Sequence, residues 1–300
     1  TDMKAKGKKI SVAIQGVRGS FHEIAAVEYF RDNEVLTVPC DTFGDLFRAL
    51  SEGKADYGIV AFENSVAGSI LPNYELLRRS NLPVTGEIFL RVRQNLVALP
   101  GQQISDIREI HSHPMAIQQC SMFINDMRQR GVRVVEAIDT ALSARTISEE
   151  RQYGSGAIAS SSAAELYSLE VLRQEIEDDR LNFTRFLIVS GSTSMDTGSD
   201  NGVERPEGAD KAMVCFSLPH KVGSLSQVLS VLAFYQVSLT KIQSLPIVGR
   251  PWEYLFHIDL IYNDFKRYRM ALDAIRPLTE GLEIVGEYRR GLMPFESGNN

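Results

Sequence analysis

Residues 10–30 read ISVAIQGVRGSFHEIAAVEYF. The first six, Ile10 to Gln15, form a short apolar run of the kind a buried strand takes. Gly16-Val17-Arg18-Gly19-Ser20 is a glycine-bounded loop, and a helix follows over residues 21–30 with Ser20 as its N-cap. A strand, a glycine loop and a helix in that order open an α/β domain. Backbone N–H groups left free at the start of such a helix point at any bound anion, so the loop is either a ligand site or simply a tight turn. It is too short for a nucleotide P-loop and lacks the Lys-Ser/Thr ending.

The same alternation extends outward from this unit. Residues 42–52 predict a helix, with Phe43, Leu46, Phe47 and Leu50 at helical spacing and Gly53 as its stop. Residues 57–62 predict a short buried strand that delivers Glu63-Asn64-Ser65 where it leaves the sheet. A second half follows. Residues 87–99 are extended, 107–111 a strand, 114–130 a helix, 132–137 a strand and 140–150 a helix. Residues 156–159 are a strand, 162–169 a short helix and 186–189 a closing strand. Two α/β lobes with a cleft between them, over residues 9–190, account for this order.

Residues 190–210, SGSTSMDTGSDNGVERPEGAD, have linker composition, and we place the linker at 191–210. Beyond it the order strand, helix, strand, strand, helix, strand over residues 211–291 is that of a ferredoxin-like α+β sandwich.

Composition sets limits on function. Hydrophobic residues at 44% and charged residues at 23% indicate a globular chain. A net charge of −6 argues against a broad nucleic-acid surface, which needs a basic stripe. No apolar run reaches the roughly 18 residues of a membrane span, and residues 1–9 lack the apolar stretch of a signal peptide. Cys40, Cys120 and Cys215 are widely spaced with no CxxC pair, so neither a disulfide framework nor a zinc site is expected. The expectation is a cytoplasmic protein without membrane or nucleic-acid partners.

Several segments could support chemistry. Ser112-His113-Pro114 repeats the strand-to-helix design of the first loop, where plain helix capping is the alternative reading. Glu63-Asn64-Ser65 sits where ligands contact open α/β sheets. In Asn182-Phe183-Thr184-Arg185-Phe186 a polar pair lies between aromatics just before a strand, so burial has to be compensated by hydrogen bonds or a ligand. His22, beside the glycine loop, is a weak site candidate, and the histidines show no metal-ligand spacing.

Together these segments resemble the prephenate dehydratase family over nearly the whole chain. The residues that carry the likeness are Gly16 to Phe21, Phe62-Glu63-Asn64-Ser65 with Gly68, and Ser112-His113-Pro114 with Gln119-Cys120. Asp139-Thr140, residues 159–166 and the Asn182 to Phe186 segment complete it. The resemblance implies a catalytic domain like a type II periplasmic-binding-protein fold, followed by an ACT regulatory domain, in a monofunctional chain. It implies a substrate, prephenate, with two carboxylates and a ring hydroxyl, lost as CO2 and water to give phenylpyruvate without metal or redox cofactor. By the same likeness Thr184 is the essential hydroxyl, with Glu63 and Asn64 also catalytic. Ser20, Phe21, Ser65, Ser112, Gln119, Thr140, Arg185 and Phe186 are then expected to bind substrate.

In this family the ACT domain binds phenylalanine, which maps an effector site here to Val222, Gly223, Ser224, Leu225 and Ser244. The chain departs from the family at Gln243 and Leu245, where a Glu and an Arg are expected, and at Val17, where the first loop has proline. An ACT sheet needs a partner copy, so a homodimer or homotetramer is expected. The alternatives are an arogenate dehydratase, a solute-binding or sensor protein, and a regulatory protein with an inactive catalytic domain.

Overall fold

The computed structural model describes residues 7–191, 207–247, 249–250 and 253–292. The chain divides into two compact units, Thr1–Ser80 with Ile88–Met195, and Asn81–Glu87 with Asp196–Asn300. Of the expected linker, residues 192–206 lie outside the described residues.

The elements up to residue 190 run β1 (Lys9–Gln15), α1 (Phe21–Tyr29), β2 (Glu34–Cys40), α2 (Phe43–Ser51), β3 (Tyr57–Asn64), β4 (Gly68–Ser69) and α3 (Leu71–Ser80). Then come β5 (Val84–Arg91), β6 (Asn95–Ala98), β7 (Glu109–Ser112), α4 (Pro114–Gln119), α5 (Ser121–Gln129) and β8 (Arg133–Glu136). The last are α6 (Thr140–Glu149), β9 (Ser155–Ala159), α7 (Ser161–Leu166), β10 (Glu170–Arg173) and β11 (Phe183–Ser190). One sheet has the order β2-β1-β3-β11-β5 with β4 beside β3; the other has the order β10-β6-β9-β7-β8. These are the two lobes. The chain crosses from the first sheet to the second after β5 and returns after β10, and Val92 N donates to Asn182 O at 2.8 Å between the two crossing segments.

Apolar side chains explain where the elements pack. Ile10, Val12 and Ile14 of β1 join Ile59, Ala61, Phe186 and Ile188 in one core of the first lobe. α1 starts where a reciprocal cap fixes it: Ser20 Oγ accepts from Glu23 N at 3.4 Å, and Glu23 Oε2 accepts from Gly19 N at 2.6 Å. Gly19 has φ +86°, and a Cβ there would lie 3.0 Å from Ala163 Cα on α7. Any other residue would be strained and would press on the second lobe. Ser160 Oγ donates to Gly19 O at 2.9 Å and the Tyr167 hydroxyl to Arg18 O at 2.7 Å, so both lobes hold this loop.

Two expected elements differ in the structure. Residues 87–99 are not one extended stretch but β5 and β6 in different sheets, because the chain changes lobe between them. The helix expected over 114–130 is broken at Cys120, whose ψ of 33° leaves the helical path. The Asp178 carboxylate, from the second crossing segment, accepts from Ser121 N at 2.8 Å, Ser121 Oγ at 2.6 Å and Met122 N at 2.9 Å. It thereby caps a new helix start that no local motif announces. Asp178→Ala is expected to lower stability by about 0.5–2 kcal/mol. The check is the urea midpoint, which should fall with an unchanged m-value; an unmoved midpoint would refute the capping role.

The second unit contains β12 (Lys211–Ser217), α8 (Ser224–Phe234), β13 (Ser238–Pro246), β14 (Tyr254–Ile261), α9 (Phe265–Ile275) and β15 (Glu280–Tyr288). Its strands pair antiparallel in the order β13-β14-β12-β15, the ferredoxin-like arrangement expected from the sequence. Ala212, Val214, Phe216, Ile258 and Leu260 pack with Val228 and Leu232 of α8 and Tyr268 and Leu272 of α9 in one core. All three cysteines are buried thiols. Among the described residues no helix is long and apolar enough to cross a membrane.

Candidate active site

A cleft of ≈ 290 Å³ opens between the lobes of the first unit. Its first wall comes from Ser20, Phe21 and His22 of the loop and α1, Asn64 at the end of β3, and Thr184 and Phe186 on β11. His113, Met115 and Gln119 around α4, and Ile138, Asp139 and Thr140 at the start of α6, form the facing wall. A larger groove of ≈ 760 Å³ passes Arg18, Glu23, Val27 and Glu165, but none of the expected catalytic residues borders it.

The amide of Asn64 organises the first wall. Its Oδ1 accepts from the backbone N–H groups of Val66 at 3.0 Å and Ala67 at 2.8 Å. Backbone N–H groups can only donate, so the orientation of this amide is forced. Nδ2 therefore donates, at 2.7 Å to Asn182 Oδ1, 3.0 Å to Thr184 Oγ1 and 3.2 Å to Phe183 O. Because Thr184 accepts from Asn64, the threonine hydroxyl keeps its own hydrogen for another acceptor. Thr184 and Asn64 are 8% and 6% exposed, so what solvent they see lies in the cleft. The pair is a buried hydroxyl donor aimed by a fixed amide.

The ionisable groups on the cleft are few. Burial pushes the His22 imidazole down to about 4, so it is neutral near pH 7. Its ring packs 5.1 Å from Phe186 and 5.5 Å from Phe43, and its Nε2 is buried with no hydrogen-bond partner among the described residues. His113 Nδ1 accepts from Met115 N at 3.1 Å, which places the proton of the neutral ring on Nε2. Asp139 caps α6 through Oδ1, which accepts from Leu142 N at 2.8 Å. Burial raises the Asp139 carboxyl above its ordinary range, opposed by the backbone N–H groups of Leu142 and Ala141 and by nearby His113.

Among the described lining residues there is no lysine or arginine. Positive potential comes instead from the starts of three helices, α1, α4 and α6, which reach the cleft wall at Phe21, Met115 and Thr140. The positive ends of their dipoles favour anions. With the side chains of Ser20, Gln119, Thr140 and Thr184, the cleft offers neutral donors to a small molecule bearing more than one negative charge.

Seven residues expected at the site border this cleft: Ser20, Phe21, Asn64, Gln119, Thr140, Thr184 and Phe186. Four do not. Strand alternation turns Glu63 and Arg185, paired across β3 and β11, away from the face that bears Asn64 and Thr184. The Arg185 guanidinium, 3% exposed, lies 4.0 Å from the Glu63 carboxylate. Ser65 Oγ donates to Leu181 O at 2.7 Å and accepts from Phe183 N at 2.9 Å, bracing the segment ahead of Thr184. Ser112 is fully buried and donates to Ile158 O at 2.8 Å between strands. In the second unit Gly223, at φ 83°, precedes α8, Val222 is fully exposed, and Ser224 Oγ bonds to the carbonyls of Pro219 and Lys221. Leu225 is half-buried on α8, and Ser244 is exposed on the edge strand β13.

Sequence reasoning gave Asn182 and Asp139 only as parts of the segments that carry the resemblance, with no role at the site, and missed Gln94. Asn182 could have been found from spacing, since it lies two residues before Thr184, just ahead of β11. Gln94 lies on a crossing segment with no local signature.

The family model described as prephenate dehydratase matches residues 12–194. Arogenate dehydratase/prephenate dehydratase 2 of Arabidopsis thaliana is 36% identical over 96% of this chain and 75% of its own length. The structure of GqqA, described as a novel type of quorum quenching acylase, superposes with a TM-score of 0.81 at 31% identity, covering 95% of this chain and 99% of that one. The prephenate dehydratase of Arthrobacter aurescens in complex with L-Phe gives 0.79 at 27% identity, over 94% and 90%.

Proposed function

The chain belongs to the prephenate dehydratase family, and on that premise we propose that it converts prephenate to phenylpyruvate in the cleft around Thr184. The dianion takes up one proton and yields the phenylpyruvate anion, CO2 and water. The bond to the ring carboxylate breaks, its electron pair enters the ring, and the C–O bond at the far end breaks as the hydroxyl leaves. Aromatisation drives the reaction, so the protein has to hold the dianion and direct a hydrogen bond to the departing oxygen.

The observation that supports this reading most is the forced direction of the Asn64–Thr184 hydrogen bond. It leaves Thr184 as a donor, which is what a leaving hydroxyl requires. The two carboxylates then lie against the N-termini of α1, α4 and α6, with Ser20, Gln119 and Thr140 as neutral donors. Glu63 and Arg185 support the strands from the opposite face. We assign effector control by phenylalanine to the loop Val222 to Leu225 with Ser244, in keeping with the L-Phe complex of the Arthrobacter aurescens relative.

A second reading follows from the Arabidopsis relative, whose name couples arogenate to prephenate. Arogenate differs only in ending its side chain in an amino acid in place of a keto acid. One experiment covers both: the pure protein is given prephenate or arogenate, and phenylpyruvate or phenylalanine is followed by chromatography as phenylalanine is titrated in. Turnover of prephenate is expected, slowed by phenylalanine. No turnover of either substrate would end the dehydratase reading.

A further inference from the structure

We propose that Asp139 is the residue that lets this cleft take, beside prephenate, a substrate whose side chain ends in an α-amino acid. The inference rests on the dehydratase reading and refines it.

The argument starts from charge. Among the described lining residues Asp139 is the sole acid, facing a cleft that otherwise offers neutral donors and helix N-termini. A carboxylate in a site for a dianion costs binding, through like-charge repulsion, unless part of the ligand is positive. An α-amino acid resolves this. Its carboxylate takes the N–H groups at a helix N-terminus while its ammonium meets the acid beside them.

Position agrees. Oδ1 of Asp139 is committed to Leu142 N as the cap of α6. Oδ2 faces the glycine loop of the other lobe, 2.7 Å from where a Cβ on Gly16 would stand. Gly16 follows β1, and in the sheet order β1-β3-β11 two strand spacings, about 10 Å, separate it from the strand of Thr184. The ring hydroxyl and the side chain of the substrate leave opposite corners of a six-membered ring. A hydroxyl held at Thr184 therefore directs the side chain toward the α6 end of the cleft. Around Asp139, His113 from the start of α4 and Tyr167 beyond α7 are the neighbouring titratable groups, and neither is an anion near pH 7.

The test is Asp139→Asn in the full chain, with kcat/KM measured for arogenate and for prephenate. Asparagine caps helices as well as aspartate does and has the same shape, so α6 is retained. The expected result is a fall of about 10–100-fold in the ratio of kcat/KM for arogenate to that for prephenate, since a charge-assisted hydrogen bond is lost on one side only. Asp139→Ser, a smaller cap without charge, should shift the ratio the same way. An unchanged ratio, an equal fall for both substrates, or a wild type that turns over prephenate but not arogenate would each overturn the proposal. Failure of the wild type on both substrates would instead refute the dehydratase reading beneath it.

Discussion

Replacing Thr184 by valine is expected to reduce kcat by about 10²–10⁴-fold, the usual contribution of a positioned proton or hydrogen-bond donor. Valine matches threonine in shape and β-branching, so the strand, its burial and its neighbours stay in place. What is lost is the hydrogen that Thr184 keeps because Asn64 fills its acceptor site. The hydroxyl oxygen of the substrate gains negative charge as the C–O bond stretches, so the donor matters more in the transition state than in the ground state. The loss should accordingly fall on kcat, with a smaller change in KM. Thr184→Ser keeps the hydroxyl but loosens its rotamer, and should remain within about tenfold of wild type. Steady-state kinetics on the three proteins, each shown folded by circular dichroism, is the check. Valine and serine variants of equal activity would show that the hydroxyl has no part in the step.

Asn64→Asp has the second largest expected effect and is diagnostic because it is nearly isosteric. A carboxylate at position 64 can still accept from Val66 N and Ala67 N. It cannot donate to Thr184, and it becomes the strongest acceptor within reach of that hydroxyl. The threonine hydrogen would turn inward and be withheld from the substrate, lowering kcat by about 10²-fold or more, as for the loss of a preorganised donor. The same carboxyl would face Asn182 Oδ1 at the distance where an N–H now stands, so burial and that carbonyl oxygen should raise its pKa. Protonated, it becomes a donor again. The variant should therefore regain part of its activity as pH falls, while the wild type shows no such rise. A pH profile parallel to wild type would mean that Asn64 acts in some way other than aiming Thr184.

Much of this architecture was legible in the sequence because its signals are local. Residues 10–30 announce strand, loop and helix by composition, and Ser20 marks a helix start that the structure bears out as an N-cap. The order of the C-terminal elements was equally plain. β2, α3 and β10 escaped notice: the burial pattern of β2 is broken by exposed and half-buried positions, and β10 has only four residues. The break at Cys120 was beyond local reading altogether, since its cause, Asp178, is 57 residues from Ser121.

At the site, membership of the motif was legible but direction was not. Glu63 and Asn64 are neighbours in sequence, yet the pleat sends only Asn64 to the cleft. The same alternation separates Arg185 from Thr184. Ser65 and Ser112 look like ligands in a linear reading because hydroxyls near strand ends often are, but both are consumed by backbone carbonyls. The role of Asn182 emerges only when the Asn64 amide is oriented by its two backbone donors.

The central claim is that Thr184 Oγ1 donates to the hydroxyl that leaves. A crystal structure of the wild type with a ring-saturated substrate analogue tests it most directly, since such a molecule keeps both carboxylates and the hydroxyl but cannot aromatise. The account predicts the analogue hydroxyl within about 2.6–3.2 Å of Thr184 Oγ1, with the carboxylates against the first turns of α1, α4 and α6. An analogue bound with a carboxylate at Thr184, or with its hydroxyl directed to any other side chain, would contradict it.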